Sequence, residues 1–337
     1  EKDENFIDVA VDYIEAGLFE DAIYTLKMAE SDYPLINYYM AFCYNAMGKD
    51  FKEYLQKAEK KETGYCFPSR LSDVPVLNFA IKNNSGANAY YYLGCLFYDK
   101  FNYSYAARLF EKATEINNNH WIAYRNLAFA YYDHLNQPEK ARLSMEKAIE
   151  LYPFEPRLLM EYEQLLKNLN VTIDERLDVY EKYPELLKDR DDCYLDKLTL
   201  ISMKGDYKTA INMAADKHFH IYEGGEGKLT KQHAWMHALY GVKLTEEGKF
   251  EDAAKIFENG INMPKSYGEA KTFFNQEAHI FYFLGNLLNK QGRGEEALKA
   301  YEEAAIYKAA VSEISLFRAL ALNKLNRFSE AEEVLNE

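Results

Sequence analysis

Apolar and aromatic side chains recur at i, i+3, i+4 and i+7 through most of this chain, the spacing that gathers them on one face of an α-helix. The pattern is plainest in residues 87–120, ANAYYYLGCLFYDKFNYSYAARLFEKATEINNNH. There Tyr90, Leu93, Gly94 and Phe97 share one face of a first helix, and Ala106, Phe110 and Ala113 form the matching stripe of a second. Residues 121–154, WIAYRNLAFAYYDHLNQPEKARLSMEKAIELYPF, repeat the arrangement. Here the stripes are Tyr124, Leu127, Ala128 and Tyr131, then Ala141, Met145 and Ala148, and Pro153 ends the helix. The blocks begin 34 residues apart (87 and 121), a length that holds two antiparallel helices. Small residues let the paired helices approach, and aromatics fill the gaps between them.

The template recurs along the chain. Tyr13, Ala22, Leu26, Ala29 and Pro34 match one unit near the start, and Ala41, Tyr44, Leu55 and Ala58 match a second with a shortened turn. Tyr240, Gly241, Ala253 and Phe257 mark a later unit, followed by Leu284, Gly285, Ala297, Tyr301 and Ala304. Ala319, Leu322 and Ala331 mark a last partial one, while 156–217 fit more loosely through Leu158, Leu165, Tyr180 and Ala210. The predicted organisation is N-terminal repeats over 1–59, an irregular insertion over 60–86 containing two prolines and the apolar VLNFAI, and central repeats over 87–217. A Gly-rich connector over 218–229 and C-terminal repeats with a cap over 230–337 complete it. That amounts to about nine helix pairs, the outer ones acting as caps.

Composition narrows the class. Apolar residues make up 48% of the 337, enough for a continuous core, and only 16 Gly and 8 Pro disfavour an all-β fold. Twenty-nine tyrosines suit half-buried helix faces, where the ring packs and the hydroxyl stays wet. With 40 basic against 54 acidic residues the net charge is −14, and no Lys/Arg stripe offers phosphates a footprint, so nucleic acid and anionic membranes are not expected partners. The four cysteines are scattered without a CxxC pair, which fits a reducing, cytoplasmic setting. The opening EKDENF, without Met or an apolar leader, reads as a cut-down chain.

Residues 218–233, HFHIYEGGEGKLTKQH, hold the densest polar chemistry. A phosphate loop requires G-x-x-x-x-G-K-[ST]; here Gly227-Lys228 is followed by Leu229, position 222 is Tyr, and no strand precedes it, so that reading fails. His218 with His220, and His233 with His237 at i, i+4, have the spacing of metal ligands, but no third ligand has a fixed place, and no metal or cofactor is assigned. Two readings remain. As a recognition loop, the glycines expose backbone amides while Glu223 and Glu226 supply acceptors beside Tyr222 and Lys228. As a connector, the glycines make a tight crossing and the glutamates favour the start of a helix with Thr230 as its N-cap. RDDCYLD (190–196) gathers three carboxylates, for which Arg190 pairing with Asp191 or Asp192 near a helix start is a plainer account than acid–base chemistry. No nucleophile–His–acid arrangement has a recognisable spacing, so the chain is read as no enzyme.

The repeats resemble the tetratricopeptide family. The resemblance implies an all-α, right-handed α-α superhelix whose first helices line a concave groove that holds protein or peptide. On that face fall Tyr91, Tyr98 and Asp99, then Arg125, Tyr132 and Asp133, with Arg125 and Asn126 placed to clamp a carboxylate; each tyrosine has packing as its competing role. YCFPSRL (65–71), YYLGCLFYDK (91–100), AYRNLAFAYY (123–132), RDDCYLDKLTL (190–200) and FHIYEGGEGK (219–228) carry a narrower likeness. Together they resemble the helical-repeat tails of large bacterial proteins whose N-terminal part is a β-rich domain similar to sugar-processing enzymes. The function implied is a non-catalytic scaffold that binds another protein or that missing domain, with self-association open. The alternative is an accessory part of a carbohydrate-active enzyme, with 219–228 completing a sugar site.

Overall fold

The computed structural model describes residues 1–337 except 1, 30–32, 62, 85, 221–224, 269–276 and 307–310. Among the described residues there are nineteen α-helices and no strand. They form two compact units, Glu1–Asn170 and Val171–Glu337.

In the first unit, α1 (Lys2–Glu15) packs on α2 (Phe19–Lys27), α3 (Pro34–Ala46) on α4 (Lys52–Glu59), and α6 (Ala87–Asp99) on α7 (Tyr103–Ile116). A fourth hairpin joins α8 (Trp121–Phe129) to α9 (Pro138–Leu151), and α10 (Pro156–Asn168) packs on α9. The second unit opens with α11 (Ile173–Lys182). Four hairpins follow: α12 (Asp191–Met203) with α13 (Tyr207–Asp216), α14 (Lys228–Glu246) with α15 (Phe250–Ile261), α16 (Ala278–Lys290) with α17 (Gly294–Ile306), and α18 (Glu313–Lys324) with α19 (Phe328–Asn336).

The predicted small-to-large register is the packing code of these hairpins. Gly94 on α6 faces Phe110 on α7, Gly241 on α14 faces Phe257 on α15, and Gly285 on α16 faces Tyr301 on α17, each glycine so close that a β-carbon would collide with the ring. Burial of Ala106, Phe110, Ala113, Ala141, Met145 and Ala148 completes the interfaces.

Two departures from the expected pattern have local causes. First-helix positions repeat after 34 residues (Tyr90 to Tyr124), but second-helix positions repeat after 35 (Ala106 to Ala141). The extra residue is absorbed where α8 ends in a π-helical turn, Ala130–His134, the usual way a helix takes in one residue without losing its axis. The insertion 60–86 is not irregular throughout: Asp73–Lys82 forms α5, and the apolar VLNFAI packs it against α3 and α6. Asp73 is wholly buried at its start, accepting from the Tyr39 hydroxyl at 2.7 Å and from the Ser69 and Arg70 amides at 3.1 and 3.0 Å. Arg70 in turn pairs with Glu4 and Asp8 of α1. None of the helices, among the described residues, is long and apolar enough to cross a membrane.

Candidate functional site

The first unit contains a cleft of about 970 Å³. Its walls are the equivalent faces of two successive first helices: Tyr91, Cys95 and Tyr98 from α6, and Ile122, Arg125 and Phe129 from α8. These positions follow i, i+3/i+4, i+7, so the same periodicity that builds the core on one face leaves this row on the other.

Aromatic surface also lines the cleft. The Trp121 and Tyr152 rings stack at 4.7 Å with only 8° between their planes. The insertion contributes Tyr65 and Phe67, which are 93% and 67% exposed. Exposed rings on a cleft wall offer contact area at small entropic cost, because each has only two side-chain torsions to fix.

Several polar residues of the cleft are tied to one another. Arg125 reaches Glu161 with both arms, Nε to Oε2 at 2.6 Å and Nη2 to Oε1 at 2.5 Å, donates through Nη1 to Asn126 Oδ1 at 3.3 Å, and lies over the Phe129 ring at 4.9 Å. Arg157 adds its Nε to the same carboxylate at 2.9 Å, and the Glu161 side chain is only 7% exposed. Asn88 donates to the Glu59 and Lys61 carbonyls at 3.0 and 3.1 Å, and Asn126 to the Cys95 sulfur at 3.6 Å. Glu59 accepts from the amides of Ala87 (2.8 Å) and Asn88 (3.1 Å) at the start of α6, and burial nonetheless pushes its carboxyl up to about 7.

One floor atom stands apart. His120, 5% exposed, lies in the cleft lining with its ring 4.9 Å from that of Tyr91, and its Nε2 is buried without a hydrogen-bond partner. Burial lowers its pKa to about 4, so the ring is neutral at ordinary pH.

The structure sorts the residues expected in the groove. Tyr91, Tyr98, Asp99, Arg125 and Asn126 all line the cleft. Tyr91, however, is 2% exposed and packs against Phe110 and Tyr92. The carboxylate that Arg125 and Asn126 were expected to take from a partner is supplied internally by Glu161. Tyr132 and Asp133 are outside the lining, because they fall inside the π-helical turn, where the extra residue rotates them away from the positions of Tyr98 and Asp99. The contributions of Trp121, Tyr152, Tyr65, Phe67 and His120 were not read from the sequence. The only signals for them were the rarity of Trp, present twice, and an aromatic-bearing insertion beside a repeat.

In the second unit the other candidates resolve into structure. Tyr222 and Glu223 lie outside the described residues. Glu226 and Lys228 are exposed, and α14 begins at Lys228 behind Gly227, whose φ is 76°. Thr230 is therefore not the N-cap; it sits in the first turn and its hydroxyl donates back to the Gly227 carbonyl at 2.9 Å. His233 and His237 are buried and face hydrogen-bond partners: Nδ1 of His233 meets the Tyr267 hydroxyl and Nε2 the Asn259 carbonyl, both at 3.0 Å, and His237 Nδ1 meets the His233 carbonyl at 2.8 Å. The RDDCYLD carboxylates are ties as well. Arg190 grips Asp192, which is held below the usual carboxylate range despite its burial. Asp191 pairs with Lys217 at 2.7 Å, and Asp196 accepts from Arg176 at 3.0 Å and the Tyr180 hydroxyl at 3.1 Å.

The hairpins and their register define a class: an all-α protein built from repeated antiparallel helix hairpins. A family model described as Tetratricopeptide repeat matches residues 282–337, which run from within α16 to the end of the chain. Many solved structures are similar, three of them as follows. One is MamA from residue 41 to its end, from Desulfovibrio magneticus RS-1: 20% identity over 57% of this chain and 98% of that one, TM-score 0.33. The second is YrrB, described as a TPR protein with an unusual peptide-binding site: 20% identity over 65% of this chain and 99% of that one, TM-score 0.40. The third is PilF of Pseudomonas aeruginosa, with 16% identity over 64% and 89% and a TM-score of 0.36.

Proposed function

We propose that this chain is a non-catalytic repeat scaffold that holds an extended segment of another protein in the cleft of the first unit. The observation that carries the reading is the cleft itself: equivalent faces of two successive first helices, lined in addition by the stacked Trp121 and Tyr152 and by the exposed Tyr65 and Phe67. A groove with repeated walls suits a chain with a repeated backbone, and aromatic side chains are the usual anchors of such interfaces.

Binding of a pooled random dodecapeptide library, followed through tryptophan emission in a Trp235→Phe background, tests it. Trp121 is then the sole tryptophan, since the chain has two. Saturable quenching that disappears in Tyr65→Ser/Phe67→Ser, with an unchanged melting temperature, supports the reading. No response at Trp121 rejects it.

A further inference from the structure

We infer that the second unit covers its own repeat groove with the α18–α19 hairpin, and that protonation of His279 releases this cover. The device does not depend on what the first unit's cleft binds.

The repeat register locates the groove positions. Six residues before the small residues Gly94 and Ala128 stand Asn88 and Ile122, which line the cleft of the first unit. The same step back from Gly241, Gly285 and Ala319 reaches Trp235 on α14, His279 on α16 and Glu313 on α18. In the second unit this row is covered. α16 packs against both α14 and α18, yet side chains of those two outer helices meet over it. The Trp235 and Phe317 rings are 5.8 Å apart, edge to face, and Lys231 pairs with Glu313 at 2.5 Å. His279 is enclosed by them, 1% exposed, stacked on Trp235 at 4.3 Å and 5.9 Å from Phe317.

Rings rather than charges carry this contact. Lys231 and Glu313 are 62% and 47% exposed, so their pair contributes little. Phe317 instead meets Trp235 and, on α16, His279, Tyr282 and Phe283. His279 is the weak point, because neither ring nitrogen has a hydrogen-bond partner, whichever of them carries the proton. A second proton would bury a charge and two unmet donors. Burial therefore dominates and lowers the pKa of the ring to about 4. Among the described residues, the Ala234 backbone, outside hydrogen-bond geometry, and Glu313 favour the proton, and Lys231 opposes it. The other histidines of α14 are turned elsewhere, His233 to Tyr267 and the Asn259 carbonyl, His237 to the His233 carbonyl. Once released, the ring returns to its ordinary 6.5, so acid favours the open form from 6.5 down to about 4.

Hydrogen exchange of the whole chain at pH 7.5 and 5.5, read by mass spectrometry and corrected for intrinsic rates, tests this. Helices as short as α18 and α19 fray once they lose their packing, so exchange of α18 amides reports the release. Protection in α18 should fall about tenfold from pH 7.5 to 5.5, the change imposed by a site that moves from about 4 to 6.5 on opening. Protection in α12, in the same unit, should change by less than about twofold. His279→Phe, which keeps a ring and cannot titrate, should abolish the fall. If that variant disturbs the seat, α18 protection drops already at pH 7.5, and His279→Gln, a neutral amide, should then show the flat response instead. The inference is overturned if α18 protection is the same at both pH values, or if both variants retain the fall. An equal fall in α12 and α18 also overturns it, because the unit then opens as a whole.

Discussion

Gly94 and Phe110 are in direct contact across the α6–α7 hairpin: a β-carbon placed on Gly94 would stand 2.6 Å from Phe110 Cε1 and 2.7 Å from Cδ1. Phe110 is wholly buried, so its ring has no solvent to retreat into. The same small-against-aromatic contact recurs at Gly241–Phe257 and Gly285–Tyr301, which makes it the distance-setting element of the repeat.

Gly94→Ala therefore tests the packing. Alanine favours the helix by about 1 kcal/mol over glycine, whereas overfilling a close-packed interface costs about 1–3 kcal/mol. A net destabilisation, read as a lower urea midpoint, is expected because the collision is with ring atoms of a fixed side chain. Adding Phe110→Leu should recover part of the loss, and additive effects of the two changes would show that the contact does not limit the hairpin.

Arg125→Ala should act first on stability. It leaves Glu161 to Arg157 alone, and the expected loss is about 3 kcal/mol, the low end for breaking a buried pair because one cation remains. Arg157→Ala, whose side chain is largely exposed, should cost much less. Equal urea midpoints for Arg125→Ala and the parent would remove the internal clamp from the account of the cleft.

Glu59 gives the first unit a pH dependence with a definite sign. Burial raises its folded carboxyl from 4.5 to about 7, so between those values the folded state keeps a proton that the unfolded chain has released. Stability from this group is thus fully present below pH 4.5 and lost as pH rises through 7. Chemical denaturation at pH 5 and pH 8 should show a decline across that window which Glu59→Gln reduces. An equal decline in the variant would assign the pH dependence to other groups.

The π-helical turn predicts tolerance to a deletion. Removing the exposed Asp133 takes out the one extra residue and lets α8 continue as an α-helix. The unit should still unfold cooperatively, with a melting shift within about 4 °C, roughly 1 kcal/mol. The stack of His134 on Tyr103 at 3.4 Å would be lost, and a collapse of cooperative unfolding would show that the bulge is required.

The sequence by itself determined the hairpins and their register. A helix and its packing stripe are written into neighbours three, four and seven residues apart, so Gly94, Phe110, Gly285 and Tyr301 could be paired from spacing alone. It also named Tyr91, Tyr98 and Arg125 on the faces of α6 and α8 that line the cleft, and missed the π-helical turn in which Tyr132 and Asp133 lie. Only the tertiary structure decided what each side chain in that row meets. Glu161 fills the Arg125 fork from another helix, Tyr152 covers Trp121 from the end of α9, and the insertion delivers Tyr65 and Phe67 to the cleft. Those encounters depend on how successive hairpins stack and on the path of an insertion that obeys no repeat, and neither is fixed by periodicity within a helix.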